Sequence, residues 1–60
     1  MIVHLVPLFN GVSDRTLALV REIAIGDSVT RDTHSYWFET DLTQDELDEF
    51  CIENNLVQVP

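Results

Sequence analysis

Two histidines, one cysteine, a scatter of hydroxyls and eleven carboxylates are the groups in this 60-residue chain that could do chemistry. Ser13, Asp14, Asp32 and His34 can be arranged on paper as a nucleophile, a base and an orienting acid. Any chain of this length offers such combinations, however, and no nucleophile elbow accompanies them. Paired carboxylates perform acid–base work when their environments drive them apart, but here the acids cluster on a helix expected to face solvent. His4, His34 and Cys51 lack metal-motif spacing to one another. A strand histidine at position 4 is expected to be hydrogen-bonded, and Cys51 to act as a small core hydrophobe. Gly11 and Gly26 stand alone, so no glycine-rich loop cradles a phosphate. A domain this small also struggles to build a ligand pocket of the usual ~300 Å³ or more. The residues point away from an enzyme and imply neither cofactor nor metal.

Charge is more informative. Eleven acids face three arginines, with no lysine, for a net charge of −8. Residues 1–31 balance Asp14, Glu22 and Asp27 against Arg15, Arg21 and Arg31; residues 32–60 hold eight acids and no base, so all the net charge falls in the second half. Nucleic-acid binding depends on Lys and Arg neutralising phosphates, and anionic membranes attract the same residues. Both are therefore disfavoured, and a protein with a basic surface is the natural counterpart. A solubilising role for the same charge is the plainer alternative. No apolar run approaches the ~20 residues of a membrane span, and no signal-peptide pattern opens the chain. The lone thiol of Cys51 suits a reducing, cytoplasmic setting.

The elements that must position these groups follow from periodicity. Residues 2–9, rich in branched side chains, predict a strand, with Ile2, His4, Val6 and Leu8 on one face and Val3, Leu5, Pro7 and Phe9 on the other. Asn10-Gly11 marks a turn. Ser13 caps a helix over 14–25 whose apolar stripe is Leu17, Val20 and Ala24, with Thr16 and Ile23 beside it and Gly26 just past its end. Leu19–Ile25 also reads as a strand in a competing assignment. Residues 26–33 form a polar connection. His34–Asp41 alternate as a second strand, with Tyr36, Phe38 and Thr40 on one face and Ser35, Trp37, Glu39 and Asp41 on the other. Thr43-Gln44-Asp45-Glu46 is a capping box, flanked by the staple positions Leu42 and Leu47. It opens a helix with Leu47, Phe50 and Cys51 inward and Asn54 or Asn55 ending it. Leu56–Val59 is a terminal strand.

The expected fold is one small α+β domain spanning residues 1–60, in the order β-α-β-α-β, with two helices on one face of a short sheet. Its other face would leave half of the first strand and Trp37 in water, a surface for self-association or a partner. Trp37 beside Glu39 and Asp41 has the composition of an interface hot spot. On the second helix Asp45, Glu49 and Glu53 repeat at i, i+4, i+8, a spacing that costs a few tenths of a kcal/mol per like-charged step. Glu49 and Glu53 also lie toward the unfavourable end of the helix dipole. With Asp48 they form a candidate anionic face. The sequence thus predicts a protein-binding module that inhibits or modulates a partner with a basic surface, such as a nuclease, a polymerase or a toxin. The alternative is a homodimeric structural or adaptor module. In composition alone the chain is similar to small acidic phage-encoded inhibitors, antitoxins and adaptor modules, an analogy that implies no mechanism.

Overall fold

The computed structural model describes residues 1–9 and 11–60. Its elements are β1 (Ile2–Pro7), α1 (Asp14–Ile23), β2 (Thr30–Arg31), β3 (Tyr36–Glu39), α2 (Gln44–Asn54) and β4 (Leu56–Val59). The four strands form one antiparallel sheet in the order β2-β3-β1-β4, so the apolar first strand lies inside it. The α+β class holds, with one addition: the polar connection contains the two-residue strand β2, which turns β-α-β-α-β into β-α-β-β-α-β. Two strands are shorter than their sequence patterns. β1 stops at Pro7, leaving Leu8 and Phe9 exposed, and β3 covers only residues 36–39 of the alternating stretch.

The ladder alternates regularly. Met1 and Thr40 exchange backbone hydrogen bonds at 3.0 Å in each direction. Antiparallel pairs alternate between hydrogen-bonded and non-bonded types. In the register Ile2↔Glu39, Val3↔Phe38, His4↔Trp37, Leu5↔Tyr36, odd residues of β1 therefore turn their peptide groups toward β3 and even ones toward β4. Leu8 N–H donating to Asn55 O at 2.9 Å agrees with this phase. Pro7, which has no N–H to donate, thus faces the β3 side just beyond the last β1–β3 pair and sacrifices no ladder bond.

Side chains alternate with the same two-residue period, perpendicular to the peptide groups. Val3, Leu5, Tyr36, Phe38 and Leu56 point to one side and form a single buried core with Leu17 and Val20 of α1 and Leu47 and Cys51 of α2. Both helices therefore cover the same face. Phe50 packs against this core but is only half-buried, so the inward stripe of α2 is Leu47 and Cys51 with Phe50 at its margin.

The helix ends have local causes. Ser13 Oγ accepts from Thr16 N–H at 3.2 Å and caps α1. At the other end α1 stops with Ala24 in extended conformation, so Gly26 does not cap it; its positive φ of 54° belongs to the following turn. Ala24 bridges to Thr40, whose buried hydroxyl donates to Ile23 O at 2.7 Å and accepts from Leu42 N–H at 3.2 Å, tying the end of α1 to the approach to α2. The capping box of α2 is complete: Glu46 N–H donates to Thr43 Oγ1 at 3.2 Å, and Thr43 N–H donates to Glu46 Oε1 at 3.0 Å. Asn55, left-handed at φ 55°, ends the helix. Gly11 takes the positive φ of 66° that a turn there requires; its neighbour in the expected turn, Asn10, lies outside the described residues.

Tyr36 links the layers. Its buried hydroxyl accepts from Ser13 N–H at 3.0 Å and donates to Ser13 O at 3.3 Å, so β3 holds the start of α1. Tyr36→Phe is expected to lower stability by about 1 kcal/mol, since Ser13 loses its partner. Thr43→Ala should cost about 1 kcal/mol through the lost cap, and Leu47→Ala about 2–5 kcal/mol through the cavity it leaves. Phe50→Ala should cost less than Leu47→Ala. Urea midpoints measure all four, and equal losses at positions 47 and 50 would contradict the orientation of α2.

Candidate functional site

The groups considered for catalysis are dispersed or engaged elsewhere. Ser13 caps α1, and its hydroxyl donates to Thr16 Oγ1 at 3.1 Å. Asp14 pairs with Arg31 at 2.9 Å on the surface. Asp32 folds the β2–β3 turn, accepting from the N–H groups of His34 and Ser35 at 2.7 and 2.8 Å and from Ser35 Oγ at 2.8 Å. These bonds, led by the His34 N–H, hold its carboxyl below the usual range. His4 lies on the sheet, His34 in the turn and Cys51 in the core. A cleft of about 370 Å³ does open at one end of the domain, among Phe9, Arg15, Leu19, Glu53 and Asn54. Among the described residues no three His, Cys, Asp or Glu side chains are grouped to hold a metal ion, and no helix is long and apolar enough to cross a membrane.

The sheet face turned away from the helices is the prominent surface. The register places Thr30, Trp37, His4 and Val59 in one row across all four strands, with Ile2 opposite Glu39 on one side of that row and Val6 opposite Val57 on the other. Ile2 is 76% exposed, and Trp37 and Val57 are 43% exposed each. His4 and Trp37 stack with ring centroids 3.8 Å apart and planes 10° from parallel. The ladder phase explains this contact. His4↔Trp37 is a non-hydrogen-bonded pair, the type in which opposed side chains approach most closely. His4 therefore spends its ring on Trp37, a partner that the expectation of a hydrogen-bonded histidine missed. No arginine shares this face: Arg31 stands opposite Tyr36 on the helix side, and Arg15 and Arg21 belong to α1.

The seven residues singled out in the sequence separate onto different surfaces. Trp37 and Glu39 lie on the open sheet face. Asp41 lies beyond β3 and borders a shallow concavity with Glu22, Ile25 and Glu46. Asp45, Asp48, Glu49 and Glu53 are exposed on α2, on the opposite layer. Asp48 accepts from Gln44 Nε2 at 2.8 Å. Between the acids stands Ile52, 79% exposed, which sequence reasoning passed over. Its position, four residues after Asp48 and three after Glu49, marked it as part of the polar stripe. Ile2, His4, Val6 and Val57 were legible as one face of each strand, but their register across the sheet was not.

No known protein-family model matches this sequence, and no curated protein or solved structure matches it significantly.

Two carboxylates and the thiol give checkable behaviour. Glu46 is held below the usual range by the Thr43 N–H and then the Thr43 hydroxyl. For Asp32 and Glu46 alike, a depressed folded-state pKa means stability that is present above the unfolded values of about 4 and lost as pH falls through the depressed ones. The stability gap between wild type and Asp32→Asn/Glu46→Gln should thus be largest near neutral pH and shrink as pH falls below about 4. A gap that ignores pH would show that charge is irrelevant to both turns. Burial, and secondarily Asp48, push the Cys51 thiol up. Its reaction with a disulfide reagent should be slow in the native protein and fast in urea; rapid native labelling would contradict its place in the core.

Proposed function

We propose that this chain is a protein-binding module that inhibits or modulates a partner with a basic surface, docking it on the open sheet face. The observation that carries this reading is the row of Trp37 stacked on His4, continued by Val59 and flanked by Ile2, Val6 and Val57, with both helices on the other side of the sheet. Contiguous apolar surface rimmed by polar groups marks interaction sites, and a rigid aromatic at its centre is the usual energetic focus. The stack holds Trp37 in place before binding, which reduces the ordering cost of association.

Charge supports the choice of partner. The net charge of −8 comes wholly from residues beyond 31, and the open face carries Glu39 with no arginine. Such a domain attracts basic proteins at long range, and the attraction weakens as salt shortens its reach to about 8 Å at physiological ionic strength. Asp45, Glu49 and Glu53 of α2 supply field and not contact when the partner sits on the sheet. The second reading, a homodimer, uses the same apolar face but must bring two chains of charge −8 together.

The test combines capture from native extract with kinetics on the purified partner. Trp37→Ala, with its fold verified by circular dichroism, should raise the off-rate about 30-fold or more, as loss of a hot spot does. Asp45→Asn/Glu49→Gln/Glu53→Gln should lower the on-rate and flatten its salt dependence while leaving the off-rate nearly unchanged. Unaltered binding by Trp37→Ala would remove the sheet face from the proposal. Sedimentation as a dimer at micromolar concentration, abolished by Trp37→Ala, would establish the homodimer in its place.

A further inference from the structure

The two edges of the sheet are finished differently. On the β3 side the chain closes its own edge. Beyond the two residues of β2, the outward peptide groups of Glu39 are met by Ile25 N–H, donating to Glu39 O at 2.7 Å, and by Ser28 Oγ, which accepts from Glu39 N–H at 3.1 Å. On the other side β4 pairs with β1 alone, and no described strand lies beyond it. Since Leu8 bonds Asn55, the alternation turns the peptide groups of Val57 and Val59 toward β1 and those of Leu56 and Gln58 outward. This edge reads Leu-Val-Gln-Val, without a charge, in a chain that carries fourteen charged side chains. Proteins ordinarily blunt an open edge with shortness, proline, lysine, an inward charge or a bulge; β4 is four residues long and Pro60 follows it, but none of Leu56–Val59 is charged or proline, and its register with β1 carries no bulge.

The side chains bordering the edge define what fits it. On the helix side Gln44 Nε2 donates both to Gln58 Oε1 at 2.6 Å and to Asp48 Oδ1 at 2.8 Å, which fixes the Asp48 carboxylate beside β4. On the open side the neighbours are Val57 and Val59. A strand added at 4.7–4.9 Å from β4 alternates its side chains between these two environments. One set meets a carboxylate and two amides; the other extends the apolar face that holds Trp37.

We propose that β4 is a strand-acceptor edge, and that its occupant is an extended segment of the partner in which apolar residues alternate with arginine or lysine. Main-chain bonds from Leu56 and Gln58 supply the affinity common to strand addition, and the alternating pockets supply selectivity. The basic residues reach toward Asp48, and the apolar ones lie beside Val57 and Val59. The charge of the segment rests on the basic partner proposed above, whereas the open edge stands independently of it. The edge lies next to the sheet face, so one partner covers both: a body on Trp37 and a strand along β4.

The probe is the hexapeptide Val-Arg-Val-Arg-Val-Arg, blocked at both ends, added to ¹⁵N-labelled full-length chain. Hydrogen exchange at the Leu56 and Gln58 amides should slow at least tenfold, while the Val57 and Val59 amides, already bonded to β1, change little. Affinity should fall with salt, and the matched Val-Glu peptide should not bind. Gln58→Pro removes an outward donor and no ladder bond, and should weaken binding at least tenfold. Should that variant fail to fold, the same peptide N-methylated at alternate residues tests the bond pattern with the protein untouched, and it should not bind. Equal binding of the Glu peptide would overturn the charge assignment. Peptide-induced shifts confined to His4 and Trp37 would overturn the edge while leaving the sheet-face reading intact. Concentration-dependent protection of Leu56 and Gln58 without peptide would assign the edge to a second copy of this chain.

Discussion

β1 is hydrogen-bonded on both sides, and the rest of the molecule depends on that double pairing. Its odd residues bond β3 and its even residues bond β4, while its side chains alternate toward and away from the helices. The pairing spends almost every peptide group of residues 1–8, and it brings residues from opposite ends of the chain into one sheet. The helices then have only one task left, to cover the side chains of Val3 and Leu5 and their neighbours. A 60-residue chain buries only about 60% of the surface its unfolded form exposes, and two helices of 10 and 11 residues shield one face of this sheet. The second face carries no helix, and the composition of β1 makes that face apolar.

The connections between layers are few and specific. The Tyr36 hydroxyl holds the start of α1 and the Thr40 hydroxyl holds its end. Tyr36 belongs to β3 and Thr40 follows it directly, so the position of α1 is set by β3 and the residue that leaves it. The position of α2 is set by its own capping box and by β4, to which Gln44 and Gln58 bind it. Each helix is thus attached to a different strand, and β1 between them keeps the two halves in register. Asp45, Glu49 and Glu53 remain outside this framework. They are exposed, they pair little, and their repulsion is tolerated because none of them is needed to close the core.

Local patterns were legible wherever a few neighbouring residues decide the outcome. The capping box at Thr43–Glu46, the left-handed Asn55, the Ser13 cap and the alternation of Tyr36, Phe38 and Thr40 all depend on contacts within about four residues or on a strict period of two. The misreadings arose where distant parts intervene. β2 is too short and polar to show a period; it exists because Thr30 and Arg31 have β3 beside them. The first helix ends at Ile23, short of its expected stop before Gly26, where Thr40 holds Ile23 O and bridges to Ala24. β1 ends at Pro7 and not Phe9, since β4 begins only at Leu56.

The sequence by itself determined the charge asymmetry, the N-terminal caps, the second helix and the two-faced character of the first strand, because composition and short-range periodicity carry that information directly. Only the tertiary structure decided that Trp37 meets His4, that the α2 acids lie across the domain from Trp37, and that among the described residues β4 is left open while the β3 edge is closed. Each of these depends on strand order and register. Those are set by which surfaces can be buried together, a sum over the whole chain that no short window of residues contains.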